Sequence, residues 1–134
     1  MFFKIFIFLL FFIKSSYAHE LRPAIANLNI YEKDNIINAT LSIRLNLEAI
    51  IAEVNMDHSN TEESEKSGQY ESLRTMNADE LLKKFNSKIR DLQNKIYLTS
   101  ANSNYGLTLV DVDIPEVGNT DIIRDTVINF DIKN

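Results

Sequence analysis

Ile37-Asn38-Ala39-Thr40-Leu41-Ser42-Ile43-Arg44-Leu45-Asn46-Leu47 is the stretch that decides the fold class. Apolar residues occupy every odd position from Ile37 to Leu47, and polar ones fill the positions between. Successive side chains of a strand point to opposite faces, so this pattern predicts a half-buried strand with one wet face. Upstream, Ala24, Ala26, Leu28 and Ile30 alternate with Asn27 and Asn29. The polar segment Glu32-Lys33-Asp34-Asn35 separates the two runs, and together they predict a β-hairpin. Its turn lacks the Asn-Gly or Asp-Gly pair that marks such turns most strongly.

Downstream the period changes. Leu47, Ile50, Ile51 and Val54 lie three and four apart, which places them on one helical face and predicts a short helix over 47–54. Residues 55–68 are polar, acidic and aperiodic, and read as a surface loop. Its cluster Glu62, Glu63 and Glu65 lacks the oxygen-ligand spacing of a calcium loop and reads as solvated charge. From Asn77 the helical signal is strong, with Asn77 as the cap and Glu80 placed to complete a capping box. Leu81, Leu82, Phe85, Ile89 and Leu92 make one apolar stripe, which predicts a helix packed on the sheet through residue 92.

The last third returns to strands. Ile96-Tyr97-Leu98 begins one, residues 100–104 read as a polar turn, and Leu107, Leu109 and Val112 mark another, ended by Pro115 and Gly118. Ile128, Phe130 and Ile132 alternate with polar residues to Asn134, where the last strand ends without a cap, turn or tail. The expected fold is mainly β within the α+β class. It is an antiparallel, sandwich-like sheet with one or two helices inserted near 47–93.

The start of the chain carries a different signal. Lys4 forms a small basic region, Ile5 to Ile13 is unbroken apolar sequence, and Ser16-Tyr17-Ala18 puts small residues where a signal peptidase looks. That order predicts a cleaved export signal over 1–18 and a domain over 19–134. A spanning helix needs about 20 apolar residues, and this run closes at Lys14. The 134 residues hold 14 basic and 19 acidic side chains, a net charge of −5. Lys4 and Lys14 leave with the signal, so the exported part is more acidic still. Such a chain repels phosphate backbones, which argues against nucleic acid as partner. There is no cysteine, hence no disulfide and no thiolate chemistry. A periplasmic location accommodates that.

Catalytic signals are sparse. No serine sits in a Gly-x-Ser-x-Gly elbow, no glycine-rich phosphate cradle occurs, and the two histidines belong to no zinc pattern. The chain is therefore expected not to be an enzyme, and no small-molecule substrate is evident. His19 is the one candidate metal ligand. After cleavage at Ala18 its free amine and imidazole can chelate one ion, with nickel or copper the suited metals. Glu20, Asp57 or His58 would have to fold nearby to add ligands.

The exported start, His19-Glu20-Leu21-Arg22-Pro23-Ala24 directly after Ala18, resembles the opening of HupE/UreJ family proteins. The likeness continues through Arg44-Leu45-Asn46-Leu47-Glu48-Ala49, through Tyr70 and Leu73-Arg74, and through Val112-Asp113-Ile114-Pro115-Glu116-Val117-Gly118 with Arg124-Asp125. The resemblance implies a β-rich extracytoplasmic segment of an inner-membrane protein tied to nickel uptake for hydrogenase or urease maturation. The family's metal path is attributed to transmembrane helices, which this sequence lacks after the signal, so transport is not carried over to it. The unfinished last strand is then expected to mark a truncation. The expected partner is the missing transmembrane segment or another membrane protein. Two other readings stand beside it: a self-contained periplasmic metal-binding protein using His19, and an interaction domain without ligand.

Overall fold

The computed structural model describes residues 22–54, 64–100 and 103–133. Nine elements follow in order: strands β1 (Ile25–Lys33) and β2 (Ile36–Leu45), helices α1 (Leu47–Ala52), α2 (Ser67–Arg74), α3 (Ala78–Asn86) and α4 (Ile89–Gln93), then strands β3 (Leu98–Ser100), β4 (Ser103–Asp113) and β5 (Thr126–Lys133). The strands form one antiparallel sheet in the order β1-β2-β5-β4-β3, and the helices sit between the second and third strands in sequence. The mainly-β α+β class expected from the alternation is the one found. Among the described residues the inserted helices number four rather than one or two.

The hairpin expected at the start is present, with Lys33 opposite Ile36 and Ile25 opposite Arg44. Its turn is Asp34-Asn35, and both residues have positive φ, 56° and 61°. That backbone matches the twist of paired strands and normally calls for glycine, but the short polar side chains of Asp and Asn tolerate it too. The last strand, β5, is inserted between β2 and β4, with Phe130 opposite both Leu41 and Leu109. Leu107, Leu109 and Val112 do share a face, and the jump from two to three in their spacing has a cause. The β4–β5 register shifts between Leu109 and Asp111, so Val110 is the extra residue of a bulge.

Several expected boundaries move. The turn expected over 100–104 is narrower than that span: Ser100 pairs with Ser103 and Thr99 with Asn104, so only two residues connect β3 to β4. Ile96 and Tyr97 precede the strand they were expected to begin. Helix α1 stops at Ala52 because Glu53 adopts the left-handed conformation at φ 58°, and its N–H closes on Ala49 and Ile50. The loop expected over 55–68 gives way to helix at Ser67; only Glu65 of its acidic cluster is described, and it is exposed. The single helix expected over 77–92 is broken at Ser87-Lys88 into α3 and α4. The capping box is present as expected: Glu80 N–H donates to Asn77 Oδ1 (2.9 Å) and Asn77 N–H to Glu80 Oε2 (3.2 Å). Such a cap is worth about 1 kcal/mol.

One face of the sheet is polar, carrying Asn27, Asn29, Thr40, Ser42, Asn129 and Asp131, with Asn129 donating to Asp111 across the strands (3.2 Å). The other face holds the core. Leu41, Ile43 and Leu45 of β2 and Ile128 and Phe130 of β5 pack against Leu47 and Ile51 of α1, Tyr70 and Leu73 of α2, and Leu81 and Phe85 of α3. The helices therefore cover only the end of the sheet where β2 finishes. At the hairpin end the apolar alternation continues through Ile37 and Ala39, but Ile37 is 77% exposed. Every residue of β1 is exposed as well, so the wet-and-dry strand expected from its alternation has two wet faces.

Candidate functional site

Two features outside the core invite a functional reading: a cluster of buried charge under the β4–β5 connection, and the open apolar end of the sheet.

The charge cluster begins where β2 runs into α1. Asn46 caps α1, its Oδ1 accepting from Ala49 N–H at 3.1 Å, and its Nδ2 donates to the Tyr70 hydroxyl at 2.8 Å. Capping aims the first turn inward and carries Glu48 with it, to 1% exposure. Arg124, from the connection 114–125, places its Nε 2.7 Å from Glu48 Oε1. The rest of its fork is occupied: Nη1 donates to Pro115 O (3.2 Å), and Nη2 to Arg74 O (3.2 Å) and Met76 O (3.1 Å). Arg74 O belongs to the last turn of α2, where helical carbonyls lack internal partners, and Met76 O follows two residues on. Arg74 answers from the helix side, its Nη2 donating to Ile122 O at 3.1 Å while its guanidinium lies 5.4 Å from the Tyr70 ring centroid. The two arginines thus lace the connection to α2 from opposite directions.

Glu48, Tyr70, Arg74 and Arg124 also line a shallow cleft of about 240 Å³ roofed by residues 115–125. Glu48 Oε2 and Arg74 Nη1 have no hydrogen-bond partner among the described residues, but both atoms are closed off from solvent. Every bond described in the cluster holds one part of the chain to another, which is the work of a latch.

Burial pushes the Tyr70 phenol above its ordinary value near 10, against the opposing pull of its bond from Asn46. The neutral phenol is the form the fold favours. Its contribution is therefore complete below the unfolded value and is lost as pH rises from there through the folded one. The expected result is that stability at about pH 11 falls further below that at about pH 9 in the wild type than in Tyr70→Phe, as read from urea midpoints.

The second feature is a groove of about 450 Å³ at the hairpin end, floored by Leu28, Ile30, Ile37, Ala39 and Ile132 and flanked by Leu98 and Tyr105. Leu28 and Ile30 are 53% and 63% exposed. Leu28, Ile30 and Ile37 thus form a contiguous exposed apolar surface.

The expected metal ligand His19 lies outside the described residues, as do Glu20, Asp57 and His58. Among the described residues no group of three or more His, Cys, Asp or Glu side chains could hold a metal ion, and no helix is long and apolar enough to cross a membrane. The Glu48–Arg124 pair was not foreseen as a pair, since its members are 76 positions apart, although both fall in segments that carry the resemblance. The only local hint is Glu48 itself, a charge flanked by Leu47, Ala49 and Ile51 in a helix with an apolar face. No family model, curated protein or solved structure matches the chain.

Proposed function

We propose that this chain is a non-catalytic, extracytoplasmic docking domain of a HupE/UreJ-like membrane protein. Its role would be accessory to nickel uptake for hydrogenase or urease maturation. The partner is an apolar membrane segment, supplied by the chain's own protein or by a neighbour in the inner membrane. One observation supports docking: the described charged cluster is consumed in holding the fold, while the conspicuous unfilled surface is the apolar groove over Leu28, Ile30 and Ile37. The resemblance at His19–Ala24 and the signal-like order of residues 1–18 support the proposed family and location.

The test is fractionation of the full chain expressed in a bacterial host, with intact mass giving its amino terminus. The expected result is a product starting at His19 that stays with the membrane fraction and is released by Ile30→Asp/Ile37→Asp. An unprocessed product in the cytoplasm, or a processed one released equally in both forms, overturns the reading. Calorimetric titration of nickel and copper into the same protein separates the metal-binding alternative. Tight binding, lost when one residue is added before His19, would make His19 a metal ligand and the domain a metal collector.

A further inference from the structure

We infer that the free edge of β1 is a pairing surface for a second copy of this chain, joined antiparallel about a two-fold axis at Leu28. The inference goes beyond the docking role, since it concerns the strand's edge and not the groove on its face.

The first ground is that the edge is open and unguarded. Among the described residues β1 is the outermost strand, pairs on one side only, and is exposed along all nine residues. Native sheets block such edges with proline, bulges, inward charges or very short strands. The opposite edge carries such devices: β3 has three residues, and β4, which has no described strand partner on its outer side beyond Tyr105, is bulged at Val110. β1 carries none of those devices between Ile25 and Tyr31: its register with β2 is unbroken, and the only charges, Glu32 and Lys33, come at its end.

The second ground is which backbone groups are free. A two-residue turn closes on a hydrogen-bonded pair, here Lys33 and Ile36. Alternation then directs the odd-numbered residues of β1 to β2, and turns the N–H and C=O of Ala26, Leu28 and Ile30 outward. The outward-bonding residues are thus the ones whose side chains share the apolar face.

The third ground is self-complementarity. With Leu28 opposite Leu28 of the second copy, Ala26 meets Ile30, Asn27 meets Asn29 and Ile25 meets Tyr31. Arg22 stands opposite Asp34 and diagonal to Glu32. From Ile25 to Tyr31 apolar residues fall on apolar and amide on amide; beyond them Glu32 and Lys33 meet Ala24 and Pro23, and no like charges are opposed. Ile25 (54% exposed) and Tyr31 (41% exposed) lie on the otherwise polar face, and this register gives each an apolar mate. Sliding by one two-residue step loses that match: Ile25 then faces Asn29 or Lys33. The same register makes the two apolar grooves neighbours in one continuous ten-stranded sheet.

The absence of cysteine makes the test clean. In the full chain, Leu28→Cys puts two thiols on hydrogen-bonded partners about 5.5 Å apart at Cα, within disulfide reach. Ile30→Cys does not, because its mate is Ala26. Mild oxidation is expected to yield cross-linked dimer from Leu28→Cys at roughly tenfold or more the yield from Ile30→Cys. A mixture of Ala26→Cys and Ile30→Cys is expected to cross-link to each other. Leu28→Pro removes an outward N–H without breaking a bond to β2, and is expected to abolish the dimer seen by sedimentation velocity while the melting curve persists. Equal yields from Leu28→Cys and Ile30→Cys, or a wild type that stays monomeric at millimolar concentration, overturns the proposal.

Discussion

Replacing Arg124 with alanine is expected to cost about 3–5 kcal/mol of folding stability, the range for breaking one side of a buried ion pair. Glu48 is then left in the interior as a carboxylate without its counter-charge, its side chain only 2% accessible. The carbonyls of Pro115, Arg74 and Met76 lose their donor in the same step. Domains of this size hold about 5–15 kcal/mol in all, so the variant would be marginal. The effect is read from urea midpoints. The double variant Glu48→Leu/Arg124→Met removes both charges and is expected to recover the part of the loss due to the stranded carboxylate, while the cost of the three carbonyls without a donor remains. A loss below about 1 kcal/mol in Arg124→Ala would mean that the pair behaves as a solvated surface bridge. The exposed pair Lys88–Glu53 is the internal comparison. The Lys88 hydrogen bond holds the Glu53 carboxyl below its usual range, yet Glu53 lies in solvent and its removal is expected to change little.

Phe130→Ala is expected to cost a similar amount, about 3–5 kcal/mol, for a different reason. Phe130 is fully buried in the middle of the central strand, between Leu41 on β2 and Leu109 on β4, under the helical layer. Truncation removes the ring's transfer energy and leaves a void that neighbours on both strands cannot close without shifting the sheet. Calorimetric melting of the variant measures the loss. A cost near 1 kcal/mol would indicate that the helices settle into the space and are less firmly seated than the packing implies.

Much of this fold is legible in the sequence because the strands bury one face and so alternate. Ile37 to Leu45, Ile128 to Ile132 and the capping box at Asn77–Glu80 all stand where local pattern puts them. Helix α2 went unread because it buries only Tyr70, Leu73 and Arg74, too few to set a period in an otherwise polar segment. The break at Ser87-Lys88 is invisible to the stripe from Leu81 to Leu92, since a helix interrupted for two residues keeps nearly the same spacing. The bulge at Val110 was present in the sequence as an irregular interval and required a register to interpret. β1 shows the limit most plainly: its alternation equals that of β2, but alternation reports which residues could be buried and not whether anything covers them. The latch is of the same kind, since only the folded chain brings Arg124 to Glu48.

The central claim is that the apolar hairpin end is free surface, continuous in pattern with the core but not part of it. The most direct measurement is the paired stability of Ile37→Thr and Ile43→Thr, two β-branched exchanges three pairs apart on the same face of β2. Ile37 is 77% exposed and Ile43 7%. The account predicts that Ile37→Thr stays within about 0.5 kcal/mol of wild type, as surface changes do, while Ile43→Thr loses about 2 kcal/mol or more. Comparable losses in both would contradict it, by showing that the hairpin end is covered in solution as the core is.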